Sequence, residues 1–532
     1  MLDLVLKNGR IFDGTGADSI EADLGVKDGK IAAIGRLPDA GGADVIDAAG
    51  LAVAPGFIDM HTHSDFTLLA DGRAQSQVHQ GVTTEVVGQC GASCAPVRSH
   101  DVIPVVSPWY KEGCHSHAWR SFGEYLDALE ATDLGVNVMA FVGHGTVHRA
   151  VLGDALRAGE PGEIEAMCRL VEEALEQGAG GFSTGLEYWP GIMAAPEHIV
   201  PMCAVAQKYG RLYATHVRNR DTQYDLGFAE AIATARQSGA RLQISHIQPK
   251  FGAPDFAMEH TLEMIEAARG HGVDIAFDVI PHDWNNTLVS AILPAWAREG
   301  GAEAVLGHLQ DPVSREKIKA NPKPMWLIVK AGRWSEIVLL NATVNKDLVG
   351  VDFAEIGRMR GVDPYDAVLD LLIEEGEHML SAFWASRSFR DSDVELCLQQ
   401  PECAVISDTI ALASDGVLED AVGSLSGYGW AARFLQHYVR DRDVISLPEA
   451  IKRITSVPAA RLGVKDRGVL RPGCRADITV FDPAGIASRC DAKNPRRYAT
   501  GIAHVLVNGR LSMRDGRRRD VNAGEVLRGI AA

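Results

Sequence analysis

Six side chains with the chemistry of metal ligands stand at the ends of short apolar runs: His61 and His63 in GFIDMHTH, Cys90 in VVGQCG, His216 in RLYATH, His246 in RLQISH and Asp408 in CAVISD. Imidazole and thiolate suit zinc, and a carboxylate serves as ligand or proton acceptor. His61 and His63 are two residues apart, so in a strand both imidazoles lie on one face and can address one ion. A lone HxH pair carries little weight; donors repeated at five run ends carry much more. Such a set supports hydrolysis at an sp² carbon, in which a metal activates water and polarises the carbonyl while Asp408 shuttles a proton. No GxSxG elbow, phosphate loop or dinucleotide fingerprint is visible, which leaves serine hydrolase, kinase and NAD-dependent chemistries without support.

Asp415 in ISDTIALASDG competes with Asp408. Asp408 follows directly on the apolar run, so the catalytic role is expected there and a structural one at Asp415. Cys94 makes a CxxxC with Cys90, but no second pair follows at zinc-ribbon spacing, and a packed residue is expected. Cys114-His115-Ser116-His117 falls in a long connection and reads as a rim loop. His144 ends another run and either lines the site or orients a loop. The basic stretch Arg514 to Asp520 reads as a solvated edge.

The elements that must position these donors come from the periodicity. Apolar runs at 51–63, 82–88, 137–144, 178–186, 211–216, 241–246, 273–281 and 403–408 alternate with amphipathic stretches such as EIEAMCRLVEEALEQG, FAEAIATARQSG and TLEMIEAARGHG, each closing near a glycine. Alternating strands and helices imply parallel βαβ units, and eight of them close a barrel whose strand ends share one mouth. About 120 residues separate the seventh and eighth runs, too many for a loop, so an inserted subdomain at about 283–402 is expected over the mouth. It holds Trp284, Trp296, Trp326, Trp334 and Trp384, either as aromatic walls for a ligand or as the insertion's own core. Both chain ends differ in texture, with short strand-like runs and Asn8-Gly9, Asp28-Gly29 and Asn508-Gly509 as hairpin signals. The expected α/β architecture is a (β/α)8 barrel over 55–465 and a small β-sandwich domain built from 1–54 and 466–532.

Of the 532 residues, 46% are hydrophobic, and 52 Lys and Arg against 70 Asp and Glu give a net charge of −18. That balance repels phosphate backbones and anionic lipid, so no nucleic-acid or membrane partner is expected. Nine scattered cysteines argue against a disulfide framework. Neither a signal peptide nor a transmembrane run is visible, and a cytoplasmic location is expected. Monomer and homo-oligomer stay open.

The stretch PGFIDMHTH resembles the opening signature of the amidohydrolase superfamily, and ITSVPAARLGVKDRGVLRPGCRADITVFD is similar to its closing segment. EVVGQCG, VGHGTVHRAVLG, GFSTGLEYWPG, ATHVRN and the Ser245-His246 pair resemble the N-acyl-D-amino-acid deacylase (D-aminoacylase) family, in collinear order from about residue 1 to about residue 510. The resemblance implies a tight zinc site at Cys90, His216 and His246, a weaker second one at His61 and His63 with Cys90 able to bridge, and Asp408 as the group that takes the proton from water. It implies a small-molecule amide substrate. The family's carboxylate-reading positions, however, are altered. Lys250 comes four residues after His246, His282 stands where a Tyr is common, Ser426 falls near the expected Arg, and Arg220 replaces a Glu; Tyr188 in GLEYWPG joins Lys250, His282 and Ser426 as expected substrate contacts. The substrate expected is therefore a bulkier or aromatic amide. A cyclic amide, carbamate or urea-type hydrolase is the alternative enzyme, and a catalytically silent scaffold the alternative of another class.

Overall fold

The computed structural model describes all residues except 38–40, 99–118, 154, 156, 299–300, 322–325 and 530–532. The eight apolar runs become eight parallel strands: Phe57–Asp59, Val82–Val87, Asn137–Gly143, Gly181–Gly185, Leu212–His216, Arg241–Ile244, Ile275–Val279 and Cys403–Val405. Helices cover their outer face, which is why the strands read as continuous apolar runs. Val82–Val87 and Asn137–Gly143 are buried along their whole length. The first and eighth strands meet just beyond their ends. There the Asp408 N–H donates to the His61 carbonyl at 3.2 Å and the His63 N–H to the Thr409 carbonyl at 2.7 Å. The barrel thus closes at its mouth through the segments that carry three of the six donors.

The helices form where the pattern expects them. Pro161–Glu176 starts on a proline, whose fixed φ suits a first turn, and buries Ile164, Met167, Val171, Ala174 and Leu175 along one stripe. Tyr224–Ser238 stops at Gly239, left-handed at φ 72°. No helix among the described residues is long and apolar enough to cross a membrane.

The two ends of the chain share one nine-stranded sheet. Leu4–Ile11 lies between Ile20–Lys27 and Ala52–Pro55, and Ile478–Phe481 pairs with Ala52–Pro55 to bring in the C-terminal strands. The run at 51–63 therefore splits at Gly56, its first half in this sheet and its second in the barrel. Asp28-Gly29 and Asn508-Gly509 are two-residue turns with positive φ at both residues. Asn8-Gly9 is not a hairpin: it is an irregularity inside Leu4–Ile11, where the register against Ile20–Lys27 slips. Asn8 takes φ 57°, and a Cβ on Gly9 would lie 2.6 Å from Val53 Cγ2, so the glycine serves close packing rather than chain reversal. The final residues leave the sheet and run along the barrel, where Leu527 N–H donates to the Val138 carbonyl at 2.7 Å.

Between the seventh and eighth barrel strands sits a three-stranded antiparallel sheet, with Phe383–Ser386 between Asn285–Leu288 and Ile337–Asn341. Helices including Phe353–Arg360 and Pro364–Glu375 cover it. Its core is its own: Trp326, Trp334 and Trp384 are buried among Ile337, Leu339, Phe353 and Leu372, with Trp296 packed against them. Four of the five tryptophans hence build the insertion, and Trp284 packs beside Leu340, Phe383, Val422 and Leu425. The helix Asp391–Leu398 returns Val394, Cys397 and Leu398 to the barrel core.

Candidate metal centre

Strand geometry delivers the donors to one point. The His61 Nε2 lies 3.4 Å from Cys90 Sγ, the His246 Nε2 3.5 Å and the His216 Nδ1 3.8 Å. Asp408 Oδ1 lies 3.5 Å from His61 Nε2 and 3.1 Å from His63 Nε2. Donor atoms of His61, Cys90, His246 and Asp408 all fall within 4.8 Å of one another, a group able to hold a metal ion and the one such group among the described residues.

Three of the nine non-glycine residues at positive φ among the described residues stand here. Cys90, His246 and Asp408 all sit at positive φ, 50°, 34° and 50°. Non-glycine residues seldom adopt that region, and each such residue costs about 1–3 kcal/mol that the surroundings must offset. The offsets are visible. Gly88 packs so tightly under Cys90 that a Cβ would lie 2.0 Å from the Phe141 carbonyl oxygen. The Asp278 carboxylate accepts the N–H of His246 at 2.6 Å and the Gln243 amide at 2.8 Å. Asp59 does the same for the eighth strand, accepting the Ser407 N–H at 3.1 Å. Neither carboxylate was singled out from the sequence; the signal was an acid inside an otherwise apolar run, FIDM and AFDV.

Burial dominates the electrostatics. Desolvation pushes Asp59 and Asp278 up to about 7 and Glu85, beneath Asp59, up to about 8. It pushes His61 down to about 3 and His216 to about 4, and raises the Cys90 thiol well above its usual value. Burial would also raise Asp408, but the imidazoles of His246, His63 and His61 outweigh it and hold the carboxyl well below the usual range. His61, His216 and His246 are therefore neutral donors beside an ionised Asp408, as cation binding requires. Burial would lower His63, but the Asp408 carboxylate outweighs it and raises the imidazole, and the Cys90 thiol has a proton to lose when a cation binds.

The other expected residues scatter more widely. Tyr188 packs its ring on His216, centroids 4.6 Å apart. Lys250 is buried, ion-paired with Glu187, with its Nζ 4.7 Å over the Trp326 ring. His282 faces Asp283 at 3.1 Å, and Ser426 takes part in the turn that starts the helix Trp430–Arg433. Asp415 is exposed and accepts from Arg73 at 2.7 Å and Gln75 at 3.0 Å. Cys94 is buried, and its carbonyl accepts from the Trp119 indole. His144 is buried beside His148, ring centroids 6.0 Å apart. Cys114 to His117 lie outside the described residues. Sequence reasoning also passed over Glu187, whose carboxylate takes the His216 Nε2 at 2.8 Å; it stood in the quoted motif GLEYWPG, one residue before Tyr188.

A barrel with donors of this kind at its strand ends, completed by a sheet from both termini, defines a class, and the comparisons give it a family. Residues 44–314 and 407–513 match the amidohydrolase family model. The chain is 34% identical over 531 residues to D-aminoacylase of Alcaligenes xylosoxydans xylosoxydans, covering 100% of this chain and 98% of that protein. Among solved structures it is similar to N-acyl-D-glutamate deacylase from Bordetella bronchiseptica, complexed with zinc and a phosphonate mimic of the tetrahedral intermediate, at 31% identity, TM-score 0.81 and 99% coverage of both chains. It is similar, too, to the crystal structure of a D-aminoacylase at 30% identity, TM-score 0.83 and 99% coverage of both. The chain belongs to the amidohydrolase family, in its D-aminoacylase-like branch, and is a hydrolase acting on carbon–nitrogen bonds.

Proposed function

We propose that the protein is a zinc-dependent deacylase of an amide whose substituents are bulky or aromatic, with the N-acyl-D-amino-acid deacylases as its relatives. The observation that carries this reading is the convergence of Cys90, His216 and His246 with His61, His63 and Asp408 at the barrel mouth. The donor set fits the ion. Thiolate and imidazole are donors that suit zinc. Cys90 Sγ lies 3.5 Å from His246 and 3.8 Å from His216, and the four donors that all fall within 4.8 Å of one another are His61, Cys90, His246 and Asp408. Cys90, His216 and His246 would hold the tight ion, and His61 and His63 a weaker one.

When bound, such an ion supplies Lewis acidity for the attacking water and the scissile carbonyl. The chain's own groups do the rest. Asp408, ionised and hydrogen-bonded to His63, accepts the proton of the attacking water at its carboxylate and returns it to the leaving nitrogen. Asp278 and Asp59 keep His246 and Asp408 in place through their backbones. Tyr188 packs on His216, and Lys250, buried and paired with Glu187, lies against Phe251 and Trp326 at the edge of the insertion's core.

Specificity follows from the altered reader positions. A free carboxylate is best gripped by a bidentate guanidinium, and Ser426 and His282 offer none. The test is a panel of N-acetyl-D-amino acids, aryl amides, carbamates and cyclic imides with zinc present. Bulky linear amides should show the highest kcat/KM. Efficient D-selective cleavage of simple N-acetyl amino acids would contradict the specificity, and turnover of cyclic imides alone would favour a cyclic-amide hydrolase.

A further inference from the structure

Glu187 occupies a position that the reaction chemistry above does not use. It follows the fourth barrel strand, its side chain is 8% exposed, and its two oxygens face different partners. One takes the Nε2 of His216 at 2.8 Å and the other the Lys250 ammonium. Lys250 follows the sixth strand, is 3% exposed, and is covered by the Trp326 ring of the insertion with Nζ 4.7 Å from its centroid. Arg220 is the other cation nearby, and it is committed to backbone, donating to the carbonyls of His246 and Gln248. A continuous polar chain therefore runs from the insertion through Trp326, Lys250 and Glu187 to His216, whose remaining nitrogen, Nδ1, points at Cys90 Sγ.

We propose that Glu187 is a positioning residue for His216. An imidazole has two tautomers, and the partner of one nitrogen decides which nitrogen is left as a lone-pair donor. A carboxylate only accepts, so with Glu187 on Nε2 the proton resides there and Nδ1 is presented bare to the cluster. Lys250 holds the second oxygen, so the carboxylate cannot rotate away, and Trp326 shields the pair from water. The seating of the insertion is thereby transmitted to a residue of the metal cluster. This rests on the metal-centre reading for its consequence, but not for the tautomer itself.

Two variants test it. In metal-free protein labelled with ¹⁵N-histidine, the His216 resonances should report the Nε2–H form in the wild type and a mixture of tautomers in Glu187→Ala. Zinc affinity, measured by competition with a chelator, should fall about 10- to 100-fold in Glu187→Ala, the usual scale for losing such a partner. Glu187→Gln, which keeps an acceptor oxygen and the shape, should restore most of that loss and guards against misfolding as the cause. Trp326→Leu should give a smaller loss of affinity in the same direction. Unchanged tautomer and affinity in a folded Glu187→Ala would overturn the proposal. A wild type with the Nε2–H tautomer but no metal-dependent amide hydrolysis would instead overturn the proposed function and leave this assignment standing.

Discussion

The barrel mouth and the insertion each bury acids, and they treat them differently. At the mouth, Cys90, His246 and Asp408 hold strained backbone, and buried atoms such as Asp59 Oδ2 and His246 Nδ1 have no hydrogen-bond partner. In the insertion the buried acid Glu375 is saturated. Its oxygens accept N–H groups from Thr343 at 2.8 Å, Val344 at 3.1 Å and Asn345 at 2.9 Å, with the Asn345 side chain at 3.0 Å. Around it the core is apolar and aromatic. Glu375 is thus satisfied within the fold, whereas Asp59 and His246 at the mouth each keep a buried atom without a partner beside strained backbone. Unsatisfied buried atoms and strained backbone that coincide with a cluster of metal-type donors are what a site of chemistry is expected to show.

Three substitutions would break or sharpen that contrast. Asp408→Asn should lower kcat at least about 100-fold, the scale of a lost general base, while leaving most of the metal bound. Asp415→Asn, out at the surface beside Arg73, should change kcat little. Equal or reversed effects in steady-state assays would mean that strain at Asp408 has no functional meaning. Next, Trp384→Ala should cost about 3–5 kcal/mol of insertion stability by leaving a cavity in its core. Hydrogen exchange would register this over 285–386, with protection of the barrel strands unchanged and zinc retained. Collapse of both regions together would show that the two do not behave as separate cores.

The smallest effect is a pH dependence. The Glu375 carboxyl would be raised by burial, but the Asn345, Thr343 and Val344 donors outweigh this and hold it below its ordinary 4.5. A depressed carboxyl contributes stability in full above its unfolded value and loses it as pH falls through the folded one. Denaturant unfolding of the insertion should therefore weaken below about pH 4.5. Glu375→Gln should cost about 2 kcal/mol at pH 7 and flatten that acid slope. A slope unchanged in the variant would assign it to other carboxylates.

Much of this was legible in the sequence because strand and helix periods differ and the polar residues stood at run ends. All eight barrel strands fall inside the apolar runs, and His61, Cys90, His246 and Asp408 converge as the barrel requires. What was not legible depended on three-dimensional neighbours. Asn8-Gly9 carries the dipeptide of a hairpin, yet the approach of Val53 makes it an irregularity within a strand. The tryptophans could be counted but not aimed, since the sheet that surrounds them is formed by segments nearly 100 residues apart, Asn285–Leu288 and Phe383–Ser386. Glu187, Asp278 and Asp59 act through what they touch. A carboxylate in a motif does not announce that its partner is a histidine on the neighbouring strand, or the backbone of a strained residue.

The central claim is that Cys90 and its neighbouring imidazoles hold the metal on which hydrolysis depends. The direct measurement is zinc content by elemental analysis alongside turnover of an aryl amide, for wild type, chelator-treated wild type and Cys90→Ala. The wild type should hold about one tight zinc, lose both metal and turnover on chelation and regain both on adding zinc, whereas Cys90→Ala should not recover. Full zinc and full activity in Cys90→Ala would contradict the claim.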